Sequence, residues 1–258
     1  METKLNFEIL NINTDDTIQN VFIPGFTANL DAFKAIANQL ESNSILVDNL
    51  GAGKSPQPKE NYSTGQMADQ IIDLIDATTN NPINIIGHSM GGAIAQKIAL
   101  KRPDLTKTLF LMSSFAKADQ ICIRFLQSRE MLVKAGLNKE MIANSVIPSI
   151  FANDFLSVPE NIDIIIERFR NNTQTPAGLS GQLRAIEDHN TAENLKDIKT
   201  QTKIITGKND VLVSPEHSFL LHRHISNSLI FEIENCGHMV QMEKPDELLS
   251  ILTAEQIT

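Results

Sequence analysis

The sequence predicts an α/β fold class, a mostly parallel sheet with helices on both faces, interrupted by one helical cap insertion. Three observations carry this. Short apolar runs alternate with amphipathic helical stretches along most of the 258 residues, as repeated strand–helix units do. Residues 115–186 break that rhythm with helical periodicity alone. A serine between two glycines stands where a strand pattern meets a helix pattern, at 87–91.

Taken in order, residues 4–12 alternate (Leu5, Phe7, Ile9), Asn13-Thr14-Asp15-Asp16 turns the chain, and Val21-Phe22-Ile23 reads as a buried strand. That strand ends at Pro24-Gly25-Phe26-Thr27. A helix follows over 29–41, with Leu30, Phe33, Ile36 and Leu40 at helical spacing and Asn29 as its expected cap. Ile45-Leu46-Val47 is the next strand, closing at Asp48, which reads as a structural turn residue. A helix over 64–78 carries Met67, Ile71, Leu74 and Ile75 on one face. Ile83, Ile85 and Ile86 form the strand before the serine, whose helix runs to about 101, and Leu109–Met112 is the strand after it. The block 115–186 is then expected to be helical, broken at Pro148, Pro159, Asn171-Asn172 and Pro176. Strand and helix resume at 203–206, 215–224, 229–233 and 243–254. The expected organisation is a core of 1–114 and 187–258 with a cap of 115–186. Ligands of such sheets sit at the carboxyl ends of the strands, so the cap is expected to cover the site.

Composition narrows the function classes. The chain is 41% hydrophobic and 21% charged, with a formal net charge of -9, which argues against a nucleic-acid partner. No apolar run approaches the roughly 20 residues a membrane span requires. Met1–Phe7 lacks the apolar core of a secretory signal. Cys122 and Cys236 are far apart and in no metal-like spacing, so reduced thiols, a cytoplasmic address, and neither metal nor cofactor are the expectation. His222 and His224, two apart on a helix, point in diverging directions and read as surface. Gly53-Lys54-Ser55 ends like a phosphate-binding loop, but Asp48 stands where that loop needs glycine.

Gly87-His88-Ser89-Met90-Gly91 has the G-x-S-x-G form in the strand-to-helix context of a nucleophile elbow. A sharp corner strains the serine backbone, and the flanking glycines leave room for the crossing. Ser89 is then expected to project beside the Met90 amide at a helix N-terminus. His88 reads as structural packing beside the elbow. A serine hydroxyl needs a base, and the base a carboxylate that holds its tautomer. Asp210 follows one strand in Thr206-Gly207-Lys208-Asn209-Asp210, and His238 follows the next in Asn235-Cys236-Gly237-His238-Met239. Both loops belong to the sheet edge that carries Ser89.

On Gly-His-Ser-Met-Gly-Gly (87–92), Gly-Lys-Asn-Asp (207–210) and Gly-His-Met-Val-Gln-Met-Glu-Lys-Pro (237–245), the chain resembles the α/β-hydrolases nearly end to end. The resemblance implies Ser89 as nucleophile, His238 as general base then acid, Asp210 as orienting carboxylate, and an oxyanion hole from the amides of Phe26 and Met90. Ser113 and Ser114 occupy the strand end where some relatives carry the acid, and neither is a carboxylate. One oxyanion donor is worth about 3 kcal/mol, so the support of Phe26 matters. The family commonly has His-Gly where this chain has Pro24-Gly25, and Gly-His-Gly where it has Gly51-Ala52-Gly53. Pro24 stiffens the turn but offers no imidazole, and Thr27 is the expected substitute donor.

Serine at position 89 excludes the dehalogenases and epoxide hydrolases of the fold, which need a carboxylate there. The layout is most similar to the small capped carboxylesterases, including the pimeloyl-acyl-carrier-protein methyl ester esterase, with the enol-lactonases close by. The expected reaction is hydrolysis of a small-molecule acyl ester of short to medium chain. The alternatives are lactone opening or carbon–carbon hydrolysis by the same triad, or a non-catalytic ligand binder. The cap holds eight basic against seven acidic residues in an acidic protein, which favours an anionic substrate or partner. Phe125, Phe151 and Phe155 are expected to line an acyl pocket. The resemblance further implies an acyl carrier protein held by cap arginines, with Arg124, Arg129, Arg168 and Arg170 as candidates.

Overall fold

The computed structural model describes residues 5–10, 17–40 and 42–254; the turn expected at 13–16 lies outside them. Seven strands form one sheet in the order β1-β3-β2-β4-β5-β6-β7. They are β1 (Phe7–Leu10), β2 (Ile18–Ile23), β3 (Asn43–Val47), β4 (Ile83–His88), β5 (Thr106–Met112), β6 (Thr202–Gly207) and β7 (Ser228–Ile233). All neighbouring pairs are parallel except β1–β3.

The period of two along the central strands builds two cores. Val21, Ile23, Ile45, Val47, Ile85, Leu109, Leu111 and Ile204 point to one face. Phe22, Leu46, Ile86, Phe110, Met112 and Ile205 point to the other, because successive side chains of a strand alternate. The first face is covered by α2 (Thr64–Thr78), α3 (Met90–Lys101) and α9 (Pro215–His224). The second is covered by α1 (Asp31–Gln39), α10 (Val240–Glu243) and α11 (Pro245–Thr253). A six-residue 3-10 helix at Ala192–Asp197, unmarked in the sequence pattern, leads into β6.

Between β5 and β6 the chain forms α4 (Gln120–Lys134), α5 (Lys139–Ile150), α6 (Asn153–Leu156), α7 (Pro159–Asn171) and α8 (Pro176–Glu187). This block is not uniform. Cys122, Ile123 and Leu126 of α4, and Leu183, Ala185 and Ile186 of α8, belong to the main core. Ala143, Ile147, Phe151 and Ile165 form a small core of their own. Pro159 and Pro176 start helices, where a missing N–H costs nothing. Pro148, in contrast to the expected break, lies within the last turn of α5.

Asn29 is not the cap of α1. The α1 N-terminus is instead held by Asp48, whose Oδ1 accepts from the Leu30 amide at 2.7 Å. Asp48 Oδ2 accepts from Asn6 Nδ2 and the Lys54 amide, so this buried carboxylate joins three loops. Among the described residues no helix is long and apolar enough to cross a membrane.

Candidate active site

From β2 the chain crosses to β3 on one side and then to β4 on the other. The carboxyl ends of β2 and β4 therefore flank a topological switch point, where an open parallel sheet leaves a crevice. Ser89 stands at this point. Its φ of 54° and ψ of -119° are strained for a residue with a side chain. The corner is held by the Ser89 amide donating to Met112 O at 2.8 Å and by Ser114 Oγ donating to Ser89 O at 2.9 Å. A Cβ on Gly91 would lie 2.0 Å from Ile23 O, and one on Gly87 would lie 2.4 Å from Gly91 O. Backbone contact between elbow and neighbouring strand thus requires both glycines.

Asp210 and His238 come from the loops after β6 and β7. The His238 Nδ1 and Asp210 Oδ2 are 2.7 Å apart, and both side chains are buried. Asp210 Oδ1 accepts from the Leu212 and Val213 amides at 3.0 and 2.9 Å, which fixes the carboxylate plane. The His238 backbone is held from three sides. Its amide donates to Ile150 O, its carbonyl accepts from His88 Nε2 at 2.9 Å, and Glu243 accepts from the amides of Gly237 and Met239. Glu243 also accepts from the Ala152 amide, so one carboxylate links the histidine loop to the α5–α6 junction.

His88 and His238 rings lie 4.8 Å apart between centroids. Burial, helped by the neighbouring His238, pulls the His88 pKa down to about 3, so His88 stays neutral and serves as a donor to the His238 carbonyl. The Ser89 hydroxyl bonds no described residue, His238 included; serine and imidazole face a common cavity. Such bonds are often loose before substrate arrives.

The loop after β2 has no bracing imidazole and is held by side-chain amides. Gln182, fully buried on α8, accepts from the Thr27 amide at 2.8 Å through Oε1 and donates to Leu50 O through Nε2. Asn172 donates to Thr27 O and Asn49 to Pro24 O. These contacts hold Thr27 at a φ of 62°. They also correct the expected substitute, since the Thr27 N–H is consumed by Gln182. The amides of Phe26 and of Met90, first residue of α3 and so without an intrahelical acceptor, are bonded to no described residue; Phe26 lines the cavity with Ser89, and Met90 follows Ser89 in the chain.

The cavity measures about 480 Å³ and is lined mainly by apolar side chains, Phe26, Phe125, Phe151 and Phe169 among them. Two expected substrate contacts need correction. Phe155 does not reach it; its ring stacks on Phe151 at 5.1 Å within the small cap core. Arg124 is on the outer face of α4, bonded to Gln127. Arg170 is also outside and pairs with Glu140. Arg129 and Arg168 do border the cavity. Sequence reasoning missed Gln182, Asn172 and Glu243; a buried amide inside the apolar pattern of α8 was the one signal available.

A carboxylate-held imidazole beside a hydroxyl at a helix N-terminus, with two amides unspent, is equipped to activate that hydroxyl and to bind a developing oxyanion. The sequence profile of the alpha/beta hydrolase fold matches residues 21–245, and the chain belongs to that family. Among curated relatives it is similar to a protein provisionally named carbamate hydrolase RutD from Azorhizobium caulinodans, 26% identical over 78% of this chain and 76% of the relative. It is also similar to Lipase 1 of Psychrobacter immobilis, 26% identical over 88% of this chain and 73% of the relative. Among solved structures it superposes on MGS-M2, an alpha/beta hydrolase enzyme from a Medee basin deep-sea metagenome library. The TM-score is 0.86 at 21% identity, covering 98% of this chain and 96% of that one.

Proposed function

We propose that this protein is a serine carboxylic ester hydrolase, acting on short to medium acyl esters through Ser89, His238 and Asp210. The observation that carries the reading is the 2.7 Å His238–Asp210 bond, with Asp210 fixed by two amides, in a cavity shared with the strained Ser89. A carboxylate accepting at Nδ1 keeps the proton there, so Nε2 offers its lone pair to the hydroxyl. Ser89 Oγ attacks the ester carbonyl while its proton passes to His238 Nε2. The oxyanion forms between the Phe26 and Met90 amides. Collapse expels the alcohol, which takes the proton from His238 and leaves Ser89 acylated. Water, deprotonated by the same imidazole, then releases the acid and restores the serine. Residues 115–186 act as a cap that closes the cavity. An apolar cavity of about 480 Å³ suits a small ester, and the relative named as a lipase supports ester chemistry. Of the four cap arginines expected to hold a carrier-bound substrate, Arg124 and Arg170 are engaged by Gln127 and Glu140.

The test is Ser89→Ala. It is expected to abolish labelling by a fluorophosphonate probe and to lower kcat on an aryl acetate by at least about 10⁴-fold. Undiminished labelling places the nucleophile elsewhere.

A further inference from the structure

Arg129 takes no part in the chemistry above, yet its guanidinium stands in the cavity with Ser89 and His238. Its Cζ lies 5.5 Å from the Phe26 ring centroid and 5.2 Å from that of Phe169. The Nε is wholly shielded and has no hydrogen-bond partner, and the guanidinium pairs with no carboxylate among the described residues. Arg102, by comparison, is held by Asp76 and Asp104, and Arg170 by Glu140. Burial pulls the Arg129 pKa down to about 10, with no neighbouring carboxylate offsetting it, so the group is a charged but unneutralised cation at neutral pH. Aromatic faces attract such a cation but accept none of its N–H bonds in-plane. Asp31, Glu167 and Arg168 also border the cavity, all of them solvent-exposed.

A half-buried cation whose Nε is wholly shielded is costly without a counter-ion unless something supplies one. A planar guanidinium that no carboxylate of the protein engages matches a ligand carboxylate through two parallel bonds. A single positive charge in an apolar cavity is balanced by a single negative one; a phosphate dianion would leave excess charge buried. We infer that this esterase acts on esters that carry a carboxylate, in the acyl or the alcohol part, and that Arg129 binds that carboxylate inside the cavity. This rests on the esterase reading and specifies its substrate class.

Paired substrates test it. In the acyl arm, monomethyl esters of C4 to C8 dicarboxylic acids are compared with methyl esters of the monocarboxylic acids of equal length. In the alcohol arm, acetate esters of ω-hydroxy acids are compared with those of simple primary alcohols. In one arm kcat/KM is expected to favour the charged member at least tenfold. Arg129→Met should lower that ratio at least tenfold, and Arg129→Lys should retain part of it; a general loss of activity cancels in the ratio. On the wild-type protein, short dicarboxylates should inhibit hydrolysis of a neutral aryl ester competitively and at least tenfold more strongly than monocarboxylates. Preference for the neutral member in both arms, a ratio that survives Arg129→Met, or equal inhibition by the two acids would overturn the inference and leave Arg129 as a spacer between rings. Turnover of the aryl ester with no charge preference sinks this inference alone. No turnover of any ester, with Ser89 unlabelled, sinks the esterase reading and this with it.

Discussion

Gln182 does for the oxyanion loop what its position in the sequence does not announce. It lies among Leu179, Leu183 and Ile186 on α8, where helical spacing reads it as one more core residue. Its amide instead bridges the Thr27 N–H and the Leu50 carbonyl, 155 and 132 residues away along the chain. Gln182→Leu keeps the bulk but leaves the Thr27 N–H buried and unpaired and the Leu50 carbonyl with only the Tyr62 hydroxyl at 3.4 Å, a loss of about 1–3 kcal/mol. If the loop presents the Phe26 amide to the oxyanion, kcat should fall about 10- to 100-fold with KM changed far less. Steady-state kinetics on an aryl ester, alongside a melting curve that shows the variant folded, checks this positioning role. A fall confined to KM would count against it. The same scale explains the misplaced residues. Arg124 and Phe155 were expected at the substrate because the cap is apolar and basic, but which face of a cap helix meets the cavity depends on its packing partners.

At the scale of elements, the strand–helix corner is a backbone-to-backbone crossing with no spare room. Gly91 on α3 meets Ile23 and Pro24 of the neighbouring strand backbone to backbone, leaving no flexible side chain to give way. Gly91→Ala should therefore destabilise the protein by more than about 3 kcal/mol or abolish soluble expression, through overpacking that the sheet must absorb. Urea unfolding measures it, and a cost under about 1 kcal/mol would show the crossing looser than described. Element boundaries were legible where local chemistry sets them. α2 spans the expected 64–78 because Ser63 and Gln66 form a capping box. The start of α1 was not legible, because its N-cap residue, Leu30, is held by Asp48, eighteen residues further on. Pro148 misled because it forfeits only the one bond its N–H would have given the Asn144 carbonyl, and the helix ends two residues later in any case.

Besides His238, the molecule as a whole hides His88 and His189 from water, and both have consequences for stability. Burial pulls His88 and His189 from an ordinary 6.5 down to about 3. His189 is held by Thr64 Oγ1 at 2.8 Å. The unfolded chain binds protons at both below pH 6.5 while the folded one does not. Stability from these groups is therefore complete above pH 6.5 and is lost as pH falls towards 3. Between pH 6.5 and 5 each withdraws about 2 kcal/mol, roughly 4 kcal/mol together. Urea unfolding at pH 7 and pH 5 should show that loss, and His189→Gln should remove about half of it. Equal stability at the two pH values would contradict the burial.

The amino-acid sequence on its own determined the period-two strands that build the two faces of the sheet, the glycine corner around Ser89, and the succession of serine, aspartate and histidine at three strand ends. Each of these is local: a strand period, a corner that excludes Cβ, a loop after an apolar run. Tertiary structure alone decided that β1 pairs with β3, that Gln182 braces the Phe26 loop, that Glu243 ties the histidine loop to the cap, and that Arg129 lies unpaired between two rings. These depend on partners tens to hundreds of residues apart, and hydrogen bonding and charge burial are properties of where a side chain ends up in space, which no local pattern encodes.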